Sequence, residues 1–396
     1  VGEVSTLTFD GTSLTFSGTG TQLSGRMLAT YAGSSGGAGN LAIGAGTDAA
    51  GPAITTGTYN TFIGRAAGRL VTVGAGNVGI GQYALWANVS GSSNVAVGPY
   101  AYQQGTGSSN VAIGNSAMTG IGSSSNNIAI GPSALSSGTT AQSNVCIGPT
   151  AGQNITSGQL NVCIGNGAGV ALATAIENTA VGNGVLTLST VNYNSGFGAH
   201  CLYQNTTGSS LAGLGANAMY YNSTGARNTA CGYDSLKYNQ TGGQNTAVGQ
   251  AALLGVLNNS FDNNTGVGDL ALTQLTTGSG NTALGQGAGQ GITTGSNNTL
   301  IGRTGSLSAT LANTIIIADG AGNVGMQTDA NGHTTFRGVV KTLSTVVGSL
   351  PSASAVGAGA RAFVTDATAT TFLATVAGGG SNKVPVVSDG TNWLIG

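Results

Sequence analysis

Down most of the chain an asparagine opens a five-residue segment in which larger and small residues alternate, and a glycine closes it. The segment reads NLAIG from Asn40, NVAVG from Asn94, NVAIG from Asn110, NIAIG from Asn127, NVCIG from Asn144 and Asn161, and NTAVG from Asn178. Alternation of period two, rich in Val, Ile and Thr, predicts a short β-strand. After each glycine, two variable residues lead to a small one, as at Ala84, Ala117, Ala134 and Ala252, often followed by Leu, Met or Gly. This second signal is read as a second short strand, and the rest of each unit is turn chemistry such as TTGSS from Thr206. The closing glycines run from Gly44 to Gly302, and eleven of the fifteen intervals between them are 17 residues. Seventeen residues cannot hold two helices and a turn, but they hold two short strands and two bends. The fold class follows: all-β, a parallel β-solenoid or β-roll of about sixteen coils, stacked at about 4.8 Å.

Alternation within the segment separates two faces. The second and fourth residues, Val111 and Ile113 for instance, are expected to fill the coil interior, with Asn, Ala and Gly pointing the other way. A face of small alanines repeated over the whole stack predicts close approach of another backbone. A narrow coil also encloses little core of its own, so parallel association of chains about a common axis is expected. Fifteen of the sixteen segments open with Asn, the exception being Leu211. Asn94, Asn110, Asn127, Asn144, Asn161 and Asn178 are therefore read as a structural column, either an amide ladder or bends bonded to the backbone.

Composition sharpens this picture. There are 71 glycines in 396 residues, as a chain that bends several times per coil requires, and charged residues make up only 5%. Between Val71 and Ala226 the single formal charge is Glu177. Stacking explains the depletion, because a charge repeated coil after coil would lie about 5 Å from its copies. A net charge of −1 gives no electrostatic attraction to nucleic acid or anionic lipid. No apolar run is long enough to span a membrane, and no basic-then-apolar leader opens the chain. The chain starts at Val1, which fits removal of an initiator Met or excision from something longer. Cys146, Cys163 and Cys201 stand where small residues recur and Cys231 where Ile or Val recurs; all four read as small buried fillers, with a Cys146–Cys163 disulfide conceivable but geometrically disfavoured.

The repeat divides the chain. Residues 1–39 form an N-terminal β cap or junction, with LTFDGTSLTFSGTG predicting a hairpin around Asp10–Gly11. The solenoid shaft occupies 40–306. Connector strands follow over 307–341, where charges return at Asp319, Asp329, Arg337 and Lys341. Residues 342–396 form a small C-terminal β tip module whose core is expected from Phe363, Phe372 and Trp393. Arg361, Lys383, Asp389 and Asn392 are its candidate receptor-binding residues, since repetition stops there and Lys383 and Asn392 flank predicted turns.

The stretch from Asn205 to Leu253, NTTGSSLAGLGANAMYYNSTGARNTACGYDSLKYNQTGGQNTAVGQAAL, resembles the NTAVG-type repeats of bacteriophage tail-fibre proteins, and the likeness covers Asn40 to Gly302. More loosely, the repeats are similar to the head repeats of trimeric autotransporter adhesins, which form left-handed parallel β-rolls. The end of the chain, from Gly359 to Gly396, also resembles a terminal module of phage tail proteins. The resemblance implies a homotrimeric virion tail fibre, extracellular, that binds a host surface glycan or protein and joins other tail or fibre proteins at its N-terminal end. Neither the membrane-anchor segment of autotransporters nor the chaperone peptidase of many phage fibres is found, and the first absence favours the phage reading.

Candidate chemistry is sparse. GAGNVG from Gly74 fits a dinucleotide fingerprint, but no βαβ pattern surrounds it. His200 and His333 lack an acidic partner at metal or triad spacing, and Asp262 and Asp269 read as solvated residues of the longest insertion. No cofactor, metal, nucleic-acid partner or enzymatic activity is expected. Tyr83, Tyr100 and Tyr233 are read as one aromatic position and Tyr203, Tyr220 and Tyr238 as another, either ladders on the rod or platforms for glycans. Besides the fibre, three functions are weighed: a purely structural filament, an ice-binding solenoid suggested by Thr179, Thr229, Thr246, Thr265, Thr282 and Thr299, and a polysaccharide-degrading solenoid.

Overall fold

The computed structural model describes residues 6–9, 14–17, 28–30, 39–44, 54–120, 122–337, 344–371 and 373–396. Helix is confined among them to the short turns Val347–Ser349 and Ala353–Val356. Sixteen short strands, from Leu41–Gly44 to Thr299–Ile301, supply one strand per coil. Each pairs in parallel and in register with the next, so that Ala112 lies beside Ala129 and Cys146 beside Cys163. The sheet is therefore a parallel β-solenoid. Its first strand is met antiparallel by Leu28–Thr30. At the other end Ile315–Ala318 extends the parallel stack and Val324–Thr328 turns back antiparallel on it. Antiparallel strands at both ends occupy edges that would otherwise template further pairing.

The two faces are the reverse of the expectation. Ala96, Ala112, Ala129 and Ala180 are fully buried, as are the asparagines that open their segments. Val111 is half-buried and Ile113 is 37% exposed. The interior is narrow: in most coils a Leu or Met from the second segment shares it with the small strand residue, as do Leu85, Met118, Leu135, Leu202 and Met219, all fully or almost fully buried, and Tyr102 takes that place in the coil of Ala96. A β-branched pair on the inner face would collide with these. Volume is exchanged locally. Where the inner residue of the strand is Phe62, the second segment carries Gly68, and a Cβ there would lie 2.5 Å from the phenyl ring.

The second segment is also not a strand. Its residues two and four past the glycine hold positive φ, as at Ser116 and Met118 (both 55°) or His200 and Leu202 (56° and 55°). Leu and Met rarely adopt this conformation. Here it turns the fourth residue into the interior while bonding both neighbouring coils: Tyr83 N donates to Arg65 O at 2.9 Å and Leu85 N to Ala101 O at 3.1 Å. The closing glycine has its own requirement. From Gly64 to Gly285 its φ lies between 112° and 143°, and a Cβ on Gly98 would stand 2.8 Å from the carbonyl of Gly114.

The buried asparagines form one hydrogen-bonded column. Asn144 donates its backbone N and its Nδ2 to Asn127 Oδ1, at 2.9 and 3.1 Å, and Nδ2 also reaches Gly158 O in the next coil at 2.9 Å. The pattern recurs from Asn40 to Asn178 and again from Asn228 to Asn298. Leu211 interrupts it, yet its backbone N still donates to Asn194 Oδ1. A second amide, unforeseen from the sequence, serves the gap: Asn222 Nδ2 takes Gly225 O at 3.0 Å, the carbonyl an asparagine at 211 would have bonded. Asn88, Asn205 and Asn239 occupy the same inner corner in other coils, where Val71, Ile155 or Leu172 stands elsewhere.

Near the N-terminus Thr6–Phe9 and Leu14–Ser17 pair antiparallel; Asp10–Gly11 lies outside the described residues. The chain divides by contacts into Val1–His333 and Thr334–Gly396. In the second unit Ser344–Thr345, Ala358–Ala367, Asn382–Asp389 and Trp393–Ile395 form a four-stranded sheet. Its core gathers Ala353, Val364, Ala367, Val384, Val386, Trp393 and Ile395. Trp393 is 9% exposed, and its indole N donates to Pro351 O at 2.8 Å. Phe363 departs from expectation: it alternates with buried Val364 and lies half-buried on the opposite face. Phe372 lies outside the described residues.

Candidate functional site

Three surfaces emerge from this architecture. The first is the outer face of the solenoid strands. Its fourth-position column runs through Ile80, Ile113, Phe197, Leu214, Val248, Leu284 and Ile301, which are 37–54% exposed. The second-position column beside it is Val or Ile from Val78 to Val162 and mostly Thr from Thr179 onward, with Ser195 and Ala212 breaking the run. Cys231 lies on this face, half-buried, while Cys146, Cys163 and Cys201 are interior thiols. Burial pushes the Cys201 thiol up to about 12. Cys146 is raised as well, by its hydrogen bond to Cys163 and by burial.

The second surface is aromatic. Tyr83 and Tyr100 stack at 5.4 Å, Tyr203 and Tyr220 at 5.2 Å, and Tyr221 and Tyr238 at 5.4 Å, with interplanar angles of 16–22°. Tyr233 directly follows its repeat glycine and joins no stack among the described residues, and Tyr238 pairs with Tyr221 instead of Tyr220. Stacking along the coil axis uses the ring faces within the ladders. Arg65 and Lys237 lie over the rings of Tyr83 and Tyr238, at 5.6 and 5.5 Å. His200 meets Tyr203 edge-on at 5.6 Å. Burial and the neighbouring Tyr203 and Tyr221 raise the Tyr220 phenol. Each stack engages one face of each of its two rings, and the cations cover a further face of Tyr83 and Tyr238, so these rings pack largely on one another.

The third surface belongs to the C-terminal sheet. Arg361 pairs with Val387 and Phe363 with Pro385 across adjacent strands. These four line a groove of about 420 Å³ on the face away from the module's core. Lys383 lies on the same face by alternation with buried Val384 and Val386. Neither Arg361 nor Lys383 forms an ion pair among the described residues. Of the four candidates named from the sequence, these two share a face. Asp389 and Asn392 are otherwise engaged: Asp389 Oδ1 accepts the amides of Asn392 at 2.6 Å and Thr391 at 2.8 Å. These bonds hold the carboxyl below the usual carboxylate range and make it a turn staple.

Most of the remaining candidates resolve as scaffold; Asp269, read from the sequence as solvated, instead has its Oδ1 buried with no hydrogen-bond partner among the described residues. Gly74 O accepts the Asn60 amide at 2.9 Å, so GAGNVG is a coil corner. Asp262 Oδ1 accepts Gly243 N at 2.6 Å. Asp319 and Asp329 close the turns of the connector strands; Asp329 also meets His333 Nδ1 at 3.2 Å, so that histidine has an acidic partner four residues away, contrary to expectation. Among the described residues no group of three or more His, Cys, Asp or Glu could hold a metal, and no helix is long and apolar enough to cross a membrane. No known family, curated protein or solved structure matches this chain.

Proposed function

We propose that this chain is a homotrimeric bacteriophage tail-fibre protein, with the solenoid as its shaft and the C-terminal module contacting a host surface glycan. The observation that carries the reading is the apolar outer face of the solenoid strands. A stripe of Val, Ile and Leu running the length of the stack is more than a monomer ordinarily leaves to water. Parallel copies of the same chain are the natural cover, because each would meet the stripe with an identical stripe at the same axial repeat. The contact therefore falls on Val111 and Ile113, and not on the alanines first expected to make it. The wording of the repeat, similar to tail-fibre repeats, favours three chains and a virion. The alternative of ice binding is weakened by Ser195 and Ala212, which interrupt the threonine column.

Light scattering of the purified chain should give about three times its 38.3 kDa mass. Replacing Ile113 and Ile130 by Lys should dissociate the assembly while the coils stay folded, since these side chains stand outside the interior. Cys231 supplies an independent probe: its thiol should resist labelling in the native protein and react in the dissociated variant. A stable monomer with a freely reactive Cys231 would refute the proposal.

A further inference from the structure

We propose that the groove between Arg361 and Phe363 binds a carboxylated pyranose, the uronic-acid type of sugar, with Lys383 as a second cation at its margin. This deepens the reading of the C-terminal module as a glycan-contacting element and rests on it. The first support is charge. Residues 334–396 carry Arg337, Lys341, Arg361 and Lys383 against Asp366 and Asp389, a net charge of +2, while the chain as a whole is −1. Both carboxylates are committed to backbone amides: Asp366 Oδ1 accepts Val347 N at 2.7 Å, and Asp389 holds its turn. Arg361 and Lys383 are thus left uncompensated on one sheet face.

The second support is the lining. Phe363, Pro385 and Val387 give an apolar floor beside one guanidinium, Ala362, Val386 and Gly396 complete the lining, and no acidic side chain is among them. A pyranose presents an apolar C–H face and a polar rim, which suits such a floor. A cavity of about 420 Å³ is in the range of small-ligand sites. Arg selects the carboxylate because its planar fork pairs with two coplanar oxygens. A neutral sugar would leave that guanidinium without a charged partner.

The test uses the full chain on galacturonate and glucuronate oligosaccharides, their neutral galactose and glucose counterparts, and phosphorylated sugars. Carboxylated members should bind at least roughly tenfold more tightly than neutral ones, the scale of a hydrogen bond to a charged group. Arg361→Gln should remove most of that preference, and Lys383→Gln part of it. The circular-dichroism signal of buried Trp393 should be unchanged in both variants. Equal binding of neutral and acidic sugars, binding of phosphorylated sugars alone, or full preference retained in Arg361→Gln would each overturn the assignment. Loss of assembly mass in Arg361→Gln without any sugar binding would also overturn it, by showing that another copy covers the groove. Light scattering on the same samples keeps the two readings apart. A trimer indifferent to acidic sugars refutes this inference alone, whereas a monomer that prefers them supports it and counts against the fibre.

Discussion

Replacing Asn161 by Leu tests the amide column where its partners can be counted. Asn161 Oδ1 accepts from Asn178 N and Nδ2, both at 3.1 Å, while its own Nδ2 donates to Asn144 Oδ1 at 3.0 Å and to Ala175 O at 2.8 Å. Two of these groups keep another partner after substitution. Asn178 Nδ2 retains Ile176 O, and Asn144 Oδ1 retains the backbone N of residue 161. Asn178 N and Ala175 O are left buried and unpaired, at roughly 1–3 kcal/mol each, so the variant should lose about 2–6 kcal/mol. Leu211 shows how the chain accommodates such a gap, through an amide eleven residues on that takes the corner carbonyl. Leu172 holds that position after Asn161. Leu172→Asn added to Asn161→Leu should therefore restore Ala175 O and recover about 1–3 kcal/mol, leaving Asn178 N exposed to exchange. Urea unfolding followed by circular dichroism gives the stability, and amide hydrogen exchange locates the loss in the adjoining coils, where a stacked array confines it. An unchanged unfolding midpoint for Asn161→Leu, or no recovery in the double variant, would refute this account of the column.

Three further outcomes are expected. Ala112→Leu overfills the interior and should cost roughly 1–3 kcal/mol, partly restored by Met118→Gly, the arrangement that Phe62 and Gly68 already use; thermal unfolding of both variants checks it. Gly131→Ala should destabilise the stack, because its φ is 129° and the new Cβ would fall 2.6 Å from the backbone of Gly148; the same melting curves read it. Cys201 has its folded pKa raised from 9.0 to about 12, so the contribution it makes is complete below pH 9 and is lost as pH climbs toward 12. Cys201→Ala should flatten that part of the stability profile, and an unaltered slope would contradict the burial of its thiol.

The repeat period alone carries the stacking. Identical spacing of the closing glycines places Ala112 beside Ala129 and Cys146 beside Cys163, because parallel strands in register demand the same residue count per coil. The asparagine column and the near absence of charge follow from like residues stacked on like, whereas the small C-terminal sheet was legible because the repeat ends before it. Orientation was not legible. Alternation of period two separates two faces but carries no sign, and the larger residues are ordinarily the inner ones. What decided the matter is the width of the coil. Leu and Met from the second segment enter the interior through positive φ, a conformation their side chains do not advertise, and the space they leave beside them suits small strand residues and the asparagine amides. Val111, Ile113 and their copies are thereby turned outward. The same pleating sends Phe363 away from the core that Trp393 fills, which brings it beside Arg361. Both results depend on contacts between segments that local patterning cannot register, since interior volume is a property of the closed coil and the packed sheet.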